Sequence, residues 1–207
     1  MLRQTLPFLT LLAVLPASGC ADVELDPPTG RDDVVVRIAT SGGMGTVESF
    51  FVEPADLVLT GDGTGYREGE HGIETFRVSD EELTRVLRDA EEAGLLDGST
   101  RDLTADGVMD AGTTSITLDA GTVRRSHSVY ALGDRDEYDD MADFVAETLD
   151  WAGSRPSAPY RPETFRVLVQ DGDGGTHCET TEDPGAVAGE VLATAPLLPG
   201  DRCEAAD

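Results

Sequence analysis

The chain has 207 residues, a formal net charge of −26 at pH 7 and a sequence pI of about 4.1. An acidic surplus of this size argues against binding to nucleic acid or to an anionic lipid surface, because both would be repelled. The length is sufficient for one substantial hydrophobic core.

The N-terminal segment reads as an export signal. Arg3 precedes an apolar run over residues 6–15, which has the length of a signal-peptide core and is too short to span a bilayer. Small residues, Ala17 and Gly19, lead to Cys20, and the pattern "ASGC" resembles the lipobox of bacterial lipoproteins. In that class the cysteine receives a diacylglycerol and becomes the first mature residue. We therefore predict a signal peptide over residues 1–19 and a lipid anchor on Cys20; an ordinary secreted protein cleaved at the same place is the alternative.

This anchor would place the protein on the extracytoplasmic face of the cell membrane, and it also bears on the other cysteines. Lipidation of Cys20 leaves Cys178 and Cys203 as an even pair. Exported proteins occupy oxidising compartments, so we predict a Cys178–Cys203 disulfide.

The mature sequence begins with a polar stretch and then shows strand patterns. Residues 20–33 contain two prolines and a glycine and are predicted to be a tether that lifts the domain off the membrane. Val34, Val36 and Ile38 alternate with the residues between them, which predicts a strand with these three on one face. The segment "ADLVLTGDGTGYREG" predicts a hairpin that turns at Asp62-Gly63.

The strongest local signal is a helix that follows. Ser79 and Glu82 have the spacing of a capping box, and Gly94 stands where a C-terminal cap is expected. The apolar positions between them recur on one helical face: Leu83, Val86, Leu87 and Ala90.

A second hairpin and a second helix come next. "TTSITLDAGTVRRSHSVYAL" alternates on both sides of Ala120-Gly121 and predicts two paired strands. A helix is predicted from about Glu137 to Ala152, ended by Gly153 and Pro156. Its expected buried face consists of Tyr138, Met141, Ala142, Val145 and Leu149.

The composition changes after residue 153. "GSRPSAPYRPE" predicts a proline-rich linker, Phe165, Val167 and Val169 predict a strand, and Asp183-Pro184 predicts a short helix to about Ala193. We divide the mature chain into an α+β domain over 34–153 and a linker with a disulfide-closed segment over 154–207. The hairpins favour an antiparallel sheet with two main helices packed on one face.

The order of these parts resembles a known group. "LTGDGTGYREG", "VSDEELTRVLRDAEEAGLLDG" and "TTSITLDAGTVRRSHSVYALG" are similar to segments of uncharacterised lipoproteins of high-GC Gram-positive bacteria, whose globular part is a small secreted α+β domain of unknown function. The resemblance covers about residues 33–152, and "LLPGDRC" is similar to the cysteine-bearing tail of such proteins. It implies a cellular location and a fold, and it implies no activity or catalytic residue.

The sequence contains no recognisable catalytic or cofactor motif. His71, His127 and His177 are far apart, and we place them on a loop, a strand and a loop. The stretch "QDGDGGTHCETTED" puts Asp171, Asp173 and Glu182 at positions 1, 3 and 12 of a calcium-loop count, but Gly175 offers no ligand at position 5. A flexible acidic loop is the expected structure there, and no cofactor is predicted.

One small basic spot stands out from the acidic background. Arg124 and Arg125 are adjacent on a predicted strand and should point to opposite faces, so they do not form one clamp. We expect ion pairs with acidic neighbours, with a carboxylate site as the alternative.

These observations favour a non-enzymatic envelope binding or interaction module whose protein partner or ligand is unknown. The alternatives are an unrecognised envelope hydrolase and a calcium-stabilised surface domain. An enzyme should present a deep pocket with converging histidines or carboxylates, whereas a binding module should present a shallow apolar or charged patch.

Overall fold

The computed structural model describes residues 24–42, 46–98, 100–103, 111–133, 138–172 and 174–203. Its elements in chain order are β1 (Val34–Ser41), α1 (Val47–Val52), β2 (Leu57–Thr60), β3 (Thr64–Gly69), β4 (Gly72–Arg77), α2 (Asp80–Glu92), β5 (Arg101–Leu103), β6 (Thr113–Asp119), β7 (Arg124–Tyr130), α3 (Asp139–Gly153), β8 (Ala158–Pro159), β9 (Phe165–Gln170), β10 (Thr176–Thr181), a 3-10 turn (Pro184–Ala186) and β11 (Glu190–Pro196).

Two sheets organise these elements. The larger has the strand order β5-β7-β6-β1-β2-β3-β4-β8, in which only the β5–β7 pair is parallel. The smaller has the order β10-β9-β11 and is antiparallel. The predicted α+β class, with a largely antiparallel sheet, is therefore confirmed. The elements α1, β5, β8 and β10 were not predicted from the sequence, and β11 falls partly in a predicted helix.

Helices α2 and α3 cover one face of the large sheet and enclose the main core. The α2 capping box is present: Ser79 Oγ accepts from the Glu82 amide, and Glu82 Oε2 accepts from the Ser79 amide at 2.9 Å. The four predicted core positions of α2 are all buried. They pack against the sheet residues of the same cluster, which include Val36, Ile38, Leu57, Leu59, Ile116 and Leu118.

Helix α3 buries a face close to the predicted one. Met141 and Val145 are buried as expected, and Tyr138 and Leu149 are partly buried against the same core. Phe144 is also buried, although the prediction left it out. The C-terminal end of α3 is bound by Arg67 of β3, which donates to the carbonyls of Ala152 and Arg155. Arg67 thereby satisfies carbonyls that a helix end leaves without an intrahelical donor.

The predicted phase of β1 is wrong at its first residue. Val36 and Ile38 belong to the core under the helices, whereas Val34 belongs to a second cluster on the opposite face. The cause is a register shift between Val34 and Val36 in the pairing with β2. An extra residue in a strand reverses, on one side of it, which side chains point to each face of the sheet. No sequence pattern predicts where this reversal occurs.

The chain beyond residue 153 packs on this domain. β8 pairs with β4 at the end of the large sheet. Tyr160 and Leu198 join Val58 and Tyr66 in the second cluster on the sheet's other face. The linker and the C-terminal segment therefore pack on the domain and contribute side chains to its second hydrophobic cluster.

The predicted helix from Asp183 to about Ala193 is wrong. Only Pro184–Ala186 forms one 3-10 turn, capped by the Asp183 side chain. The turn ends at Val187, whose backbone is extended, and Gly189, with φ of 111°, directly precedes β11, which pairs with β9. His177, which we expected on a loop, lies in strand β10. The stretch expected to be an acidic loop is thus largely a hairpin.

The predicted disulfide is confirmed. Cys178 in β10 is bonded to Cys203, with Cα atoms 5.3 Å apart, within the usual range. The bond fixes the chain's last described residue to the edge of the small sheet.

Residues 24–33, predicted to be a tether, lie against the domain. Leu25 forms a bridge with Gly121 in the β6–β7 turn and packs on the main core. Further along, the Gly61 amide donates to the Asp33 carbonyl at 2.9 Å. The segment therefore runs from the β6–β7 turn to the β2–β3 turn along one end of the large sheet.

Candidate functional site

The structure keeps the three histidines apart. His71 is exposed in the turn between β3 and β4. His127 is completely buried, with Nε2 2.8 Å from the Leu95 carbonyl oxygen. His177 lies on β10 between two carboxylates, with Nδ1 3.1 Å from Asp171 and Nε2 2.9 Å from Glu179. No two of them share a site.

The acidic side chains considered as weak calcium ligands are also not brought together in one site. Asp171 is at the turn end of the β9–β10 hairpin and faces His177, whereas Glu182 follows the opposite end of β10. Asp173 lies outside the described residues, as does Cys20. Among the described residues, no group of three or more histidine, cysteine or acidic side chains is arranged to hold a metal ion.

A groove of about 470 Å³ lies between α2 and α3. Its floor contains the buried side chains of Val86 and Phe144. Its rim consists of Arg85 and exposed carboxylates, namely Asp89, Glu92, Asp140, Asp143 and Glu147. In so acidic a chain, solvated carboxylates on a helix pair are the expected background, and they do not mark a site.

The β4–β8 side of the large sheet carries a different kind of depression, which we call the arginine cleft. It has a volume of about 920 Å³ and is widely open. Three arginines and a single carboxylate line it, with hydroxyl-bearing and apolar side chains between them: Arg31, Arg77, Arg155, Asp62, Thr64, Thr75, Ser157, Tyr66, Tyr160, Phe76, Pro156 and Ala158. Basic side chains therefore outnumber acidic ones here, in a chain that has 41 acidic and 15 basic residues.

Two tyrosines form the centre of the cleft. Tyr66 comes from β3 and Tyr160 follows β8, and their rings meet edge to face with centroids 5.2 Å apart. Burial raises the pKa of the Tyr66 hydroxyl, while the nearby Arg31 guanidinium acts in the opposite direction. Burial also raises the pKa of Tyr160. Both hydroxyls therefore remain neutral and can donate a hydrogen bond.

Two of the arginines are held in place by acidic partners. Arg77 donates to the Asp62 carbonyl at 2.8 Å and lies 3.4 Å from its carboxylate. Arg155 pairs with Glu82, the capping-box carboxylate of α2, and its guanidinium lies 5.2 Å from the centroid of the Trp151 ring. The hydrogen bond from the Ser79 amide is the largest influence lowering the pKa of Glu82. These contacts fix both guanidinium groups at the cleft wall.

Arg31 differs from these two. It is exposed and its guanidinium is hydrogen-bonded to the Tyr66 hydroxyl, but none of the ion pairs among the described residues includes it. It also lines an adjoining depression with Arg161, so it stands where two depressions meet. Arg31 is thus the cation of the cleft with most capacity left for a ligand.

Sequence reasoning did not find the cleft. Its arginines come from the segment before β1, the end of β4 and the chain after α3. Each of them alone is typical of a solvated charge. The basic pair that the sequence did single out, Arg124 and Arg125, lies on β7, and Arg124 is 3.9 Å from Asp119, in agreement with the expected ion pairing.

The arrangement of side chains in the arginine cleft can bind an anion. Among the residues that the structure describes, no histidine lines either the arginine cleft or the α2–α3 groove. In the described part of the chain, no helix combines the length and apolar character needed to cross a bilayer.

Comparison of the chain with family models, with curated proteins and with solved structures gives no match.

Proposed function

We propose that this protein is a non-enzymatic binding module of the bacterial envelope, anchored by lipid on Cys20, and that it binds an anionic ligand in the arginine cleft. The observation that carries the proposal is the local reversal of charge around Tyr66 and Tyr160 in a chain of net charge −26. The overall acidity repels anions, so a cleft in which arginines outnumber carboxylates is a place where an anion can still be held.

The kind of anion follows from the side chains. Guanidinium groups suit carboxylate and phosphate oxygens because they present paired donors. The hydroxyl oxygens of Thr64, Thr75 and Ser157 already have protein partners, but each keeps a lone pair that can accept from a ligand that is itself hydroxylated. We therefore propose a ligand that combines a carboxylate or phosphate with hydroxyl groups.

A peptide strand is a less suitable occupant of the cleft. Strand addition needs a free sheet edge with unpaired backbone donors. At this edge β8, a two-residue strand that ends in Pro159, pairs with Glu74 and Thr75 of β4 and leaves only two β4 residues beside the cleft, too few for an added strand. Proline has no backbone N–H to offer. Recognition must therefore come from side chains.

The binding experiment is isothermal titration calorimetry of the folded domain with glucuronate and with inorganic phosphate. Arg31→Gln removes a charged donor without leaving a carboxylate unpaired, so it should weaken binding by at least about tenfold. Arg88→Gln, an exposed position of α2 outside the cleft, is the matched control and should bind as the wild type does. Equal affinity of the two variants, or no binding of either probe, would refute the proposed site.

The anchor is tested separately. Cys20→Ser should move the protein from the membrane fraction to the soluble fraction of cells, since the apolar segment ending in "ASGC" is the reason for expecting lipid. Unchanged membrane retention would refute lipidation at this residue.

The hydrolase alternative can be examined with the same preparation. Purified protein should give no turnover on peptidoglycan, glycan, ester or peptide substrates. Turnover that disappears in the His71→Gln/His177→Gln variant would favour the hydrolase instead. His127 is left intact in that variant because it is buried in the core.

A further inference from the structure

The structure fixes the domain unusually close to the predicted anchor. Three contacts hold the start of the described chain on the β6–β7 turn. Thr122 Oγ1 donates to the Glu24 carbonyl at 2.8 Å, and the Asp26 amide donates to the Ala120 carbonyl at 3.0 Å. Leu25, between them, bridges to Gly121. Residues 24–26 are therefore part of the fold.

The turn is shaped to accept this segment. Gly121 has φ of 82°, and a side chain there would collide with the Asp26 carbonyl oxygen. Gly61 in the β2–β3 turn is similar, since a side chain there would collide with the Pro28 carbonyl oxygen. Glycine is thus required at both places where residues 24–33 cross the end of the sheet.

The length of chain left for a tether is correspondingly short. Four residue steps separate Cys20 from Glu24, and an extended chain spans at most about 3.5 Å per residue, or about 14 Å in all. A compact domain of about 180 residues has a radius of gyration of about 16 Å, so its diameter exceeds this reach and the domain cannot move far from the bilayer.

We infer that the β6–β7 turn, together with residues 24–26, is the membrane-facing surface of the anchored protein. This surface contacts the phospholipid headgroup layer. The inference rests on the proposed lipid anchor at Cys20. It goes beyond that anchor because it assigns an orientation, in which the β6–β7 turn points towards the bilayer.

The charges at this end are compatible with such a position. Arg124 and Arg125 flank the turn, and the Arg124 side chain is 67% exposed. They are the only adjacent pair of arginines in the chain. Together they offset two of the three carboxylates around the turn, Glu24, Asp26 and Asp119, the last of which is 3.9 Å from Arg124. The turn is thus less repelled by anionic headgroups than the rest of this acidic surface.

The test uses the mature chain 20–207 with its disulfide intact, in which Cys20 is the only free thiol. Coupling Cys20 to a maleimide lipid in phosphatidylcholine vesicles replaces the biological anchor. Hydrogen exchange of this preparation is compared with that of N-ethylmaleimide-capped protein mixed with the same vesicles. Coupling should slow exchange of the amides of residues 121–123 several-fold and leave those of Gly174 and Gly175, between β9 and β10, unchanged.

A second variant separates tether length from other causes. Inserting ten Gly/Ser residues between Val23 and Glu24 should abolish the slowing, because the longer chain releases the domain from the surface. Unchanged exchange at 121–123 in the coupled wild type, slowing only elsewhere, or slowing that survives the insertion would each overturn the orientation. Chemical coupling makes this outcome independent of whether cells lipidate Cys20, which the fractionation experiment decides.

Discussion

Asp201 Oδ1 accepts a hydrogen bond from Arg37 Nη2 at 2.7 Å, and only 2% of the Asp201 side chain is exposed. The same carboxylate accepts from the Leu198 amide at 3.1 Å and lies 3.9 Å from Arg166 Nε. Arg37 belongs to β1 of the large sheet and Arg166 to β9 of the small one. One buried acid therefore joins both sheets to the C-terminal tail.

We expect Asp201→Asn to destabilise the protein by about 2–3 kcal/mol. The substitution keeps the shape of the side chain but leaves two guanidinium groups without their anion. Because Arg37 is partly exposed, the loss in the free energy of unfolding lies between that for a buried ion pair and that for an exposed one. Urea unfolding measures the difference. Asp97→Asn, at an exposed position, should change the free energy of unfolding by less than about 0.5 kcal/mol. Equal effects of the two variants would mean that the tail is not held through Asp201.

The disulfide should stabilise the same region. Replacing Cys178 and Cys203 together by serine should cost about 3 kcal/mol, because the bond closes a loop between residues 25 apart in sequence and restricts the unfolded chain. Urea unfolding of the double variant, and of wild type in reductant, checks this. Identical transitions for oxidised and reduced wild type would contradict the prediction.

The parts of the fold that the sequence predicted are those set by local interactions. Helix α2 has its cap, its apolar face and its Gly94, with φ of 70°, within one continuous segment. The hairpin β6–β7 likewise needs only alternation and a turn. Each signal reports contacts between residues that are neighbours in sequence, so reading the sequence recovers them.

The failures are elements decided by distant partners. β11 buries Ala193 and Ala195, whose small side chains give little apolar signal, and it exists because β9 offers a free edge. The nearby Asp183-Pro184 start was real but supports only one turn. The arginine cleft is non-local in the same way, since no spacing in the sequence relates Arg31, Arg77 and Arg155.

Leu87→Asp should destabilise the domain far more than Arg88→Asp. Leu87 is a fully buried residue of α2, whereas its neighbour Arg88 is exposed. Burying an unpaired carboxylate costs several kcal/mol, and an exposed change is usually within about 0.5 kcal/mol. Thermal unfolding of both variants is the measurement, and similar shifts in Tm would show that the phase of α2 is wrong.

His177 should make the stability of the β9–β10 hairpin depend on pH. The hydrogen bond with Glu179 is the largest influence raising the pKa of His177 above its ordinary value of 6.5, and the charge of Asp171 acts in the same direction. A raised pKa in the folded state means that the protonated ring stabilises the fold. This contribution is complete below pH 6.5 and is lost as the pH rises through the folded-state pKa.

The measurement compares wild type with His177→Gln by urea unfolding at pH 5 and pH 9. Wild type should be the more stable at pH 5, and the two proteins should converge at pH 9, because the neutral ring no longer attracts the carboxylates. NMR titration of the His177 ring gives an independent check: Glu179→Gln should lower its pKa, since the substitution removes the strongest partner. A difference in stability that grows with pH, or a His177 pKa indifferent to Glu179→Gln, would show that this histidine is not paired as the structure has it.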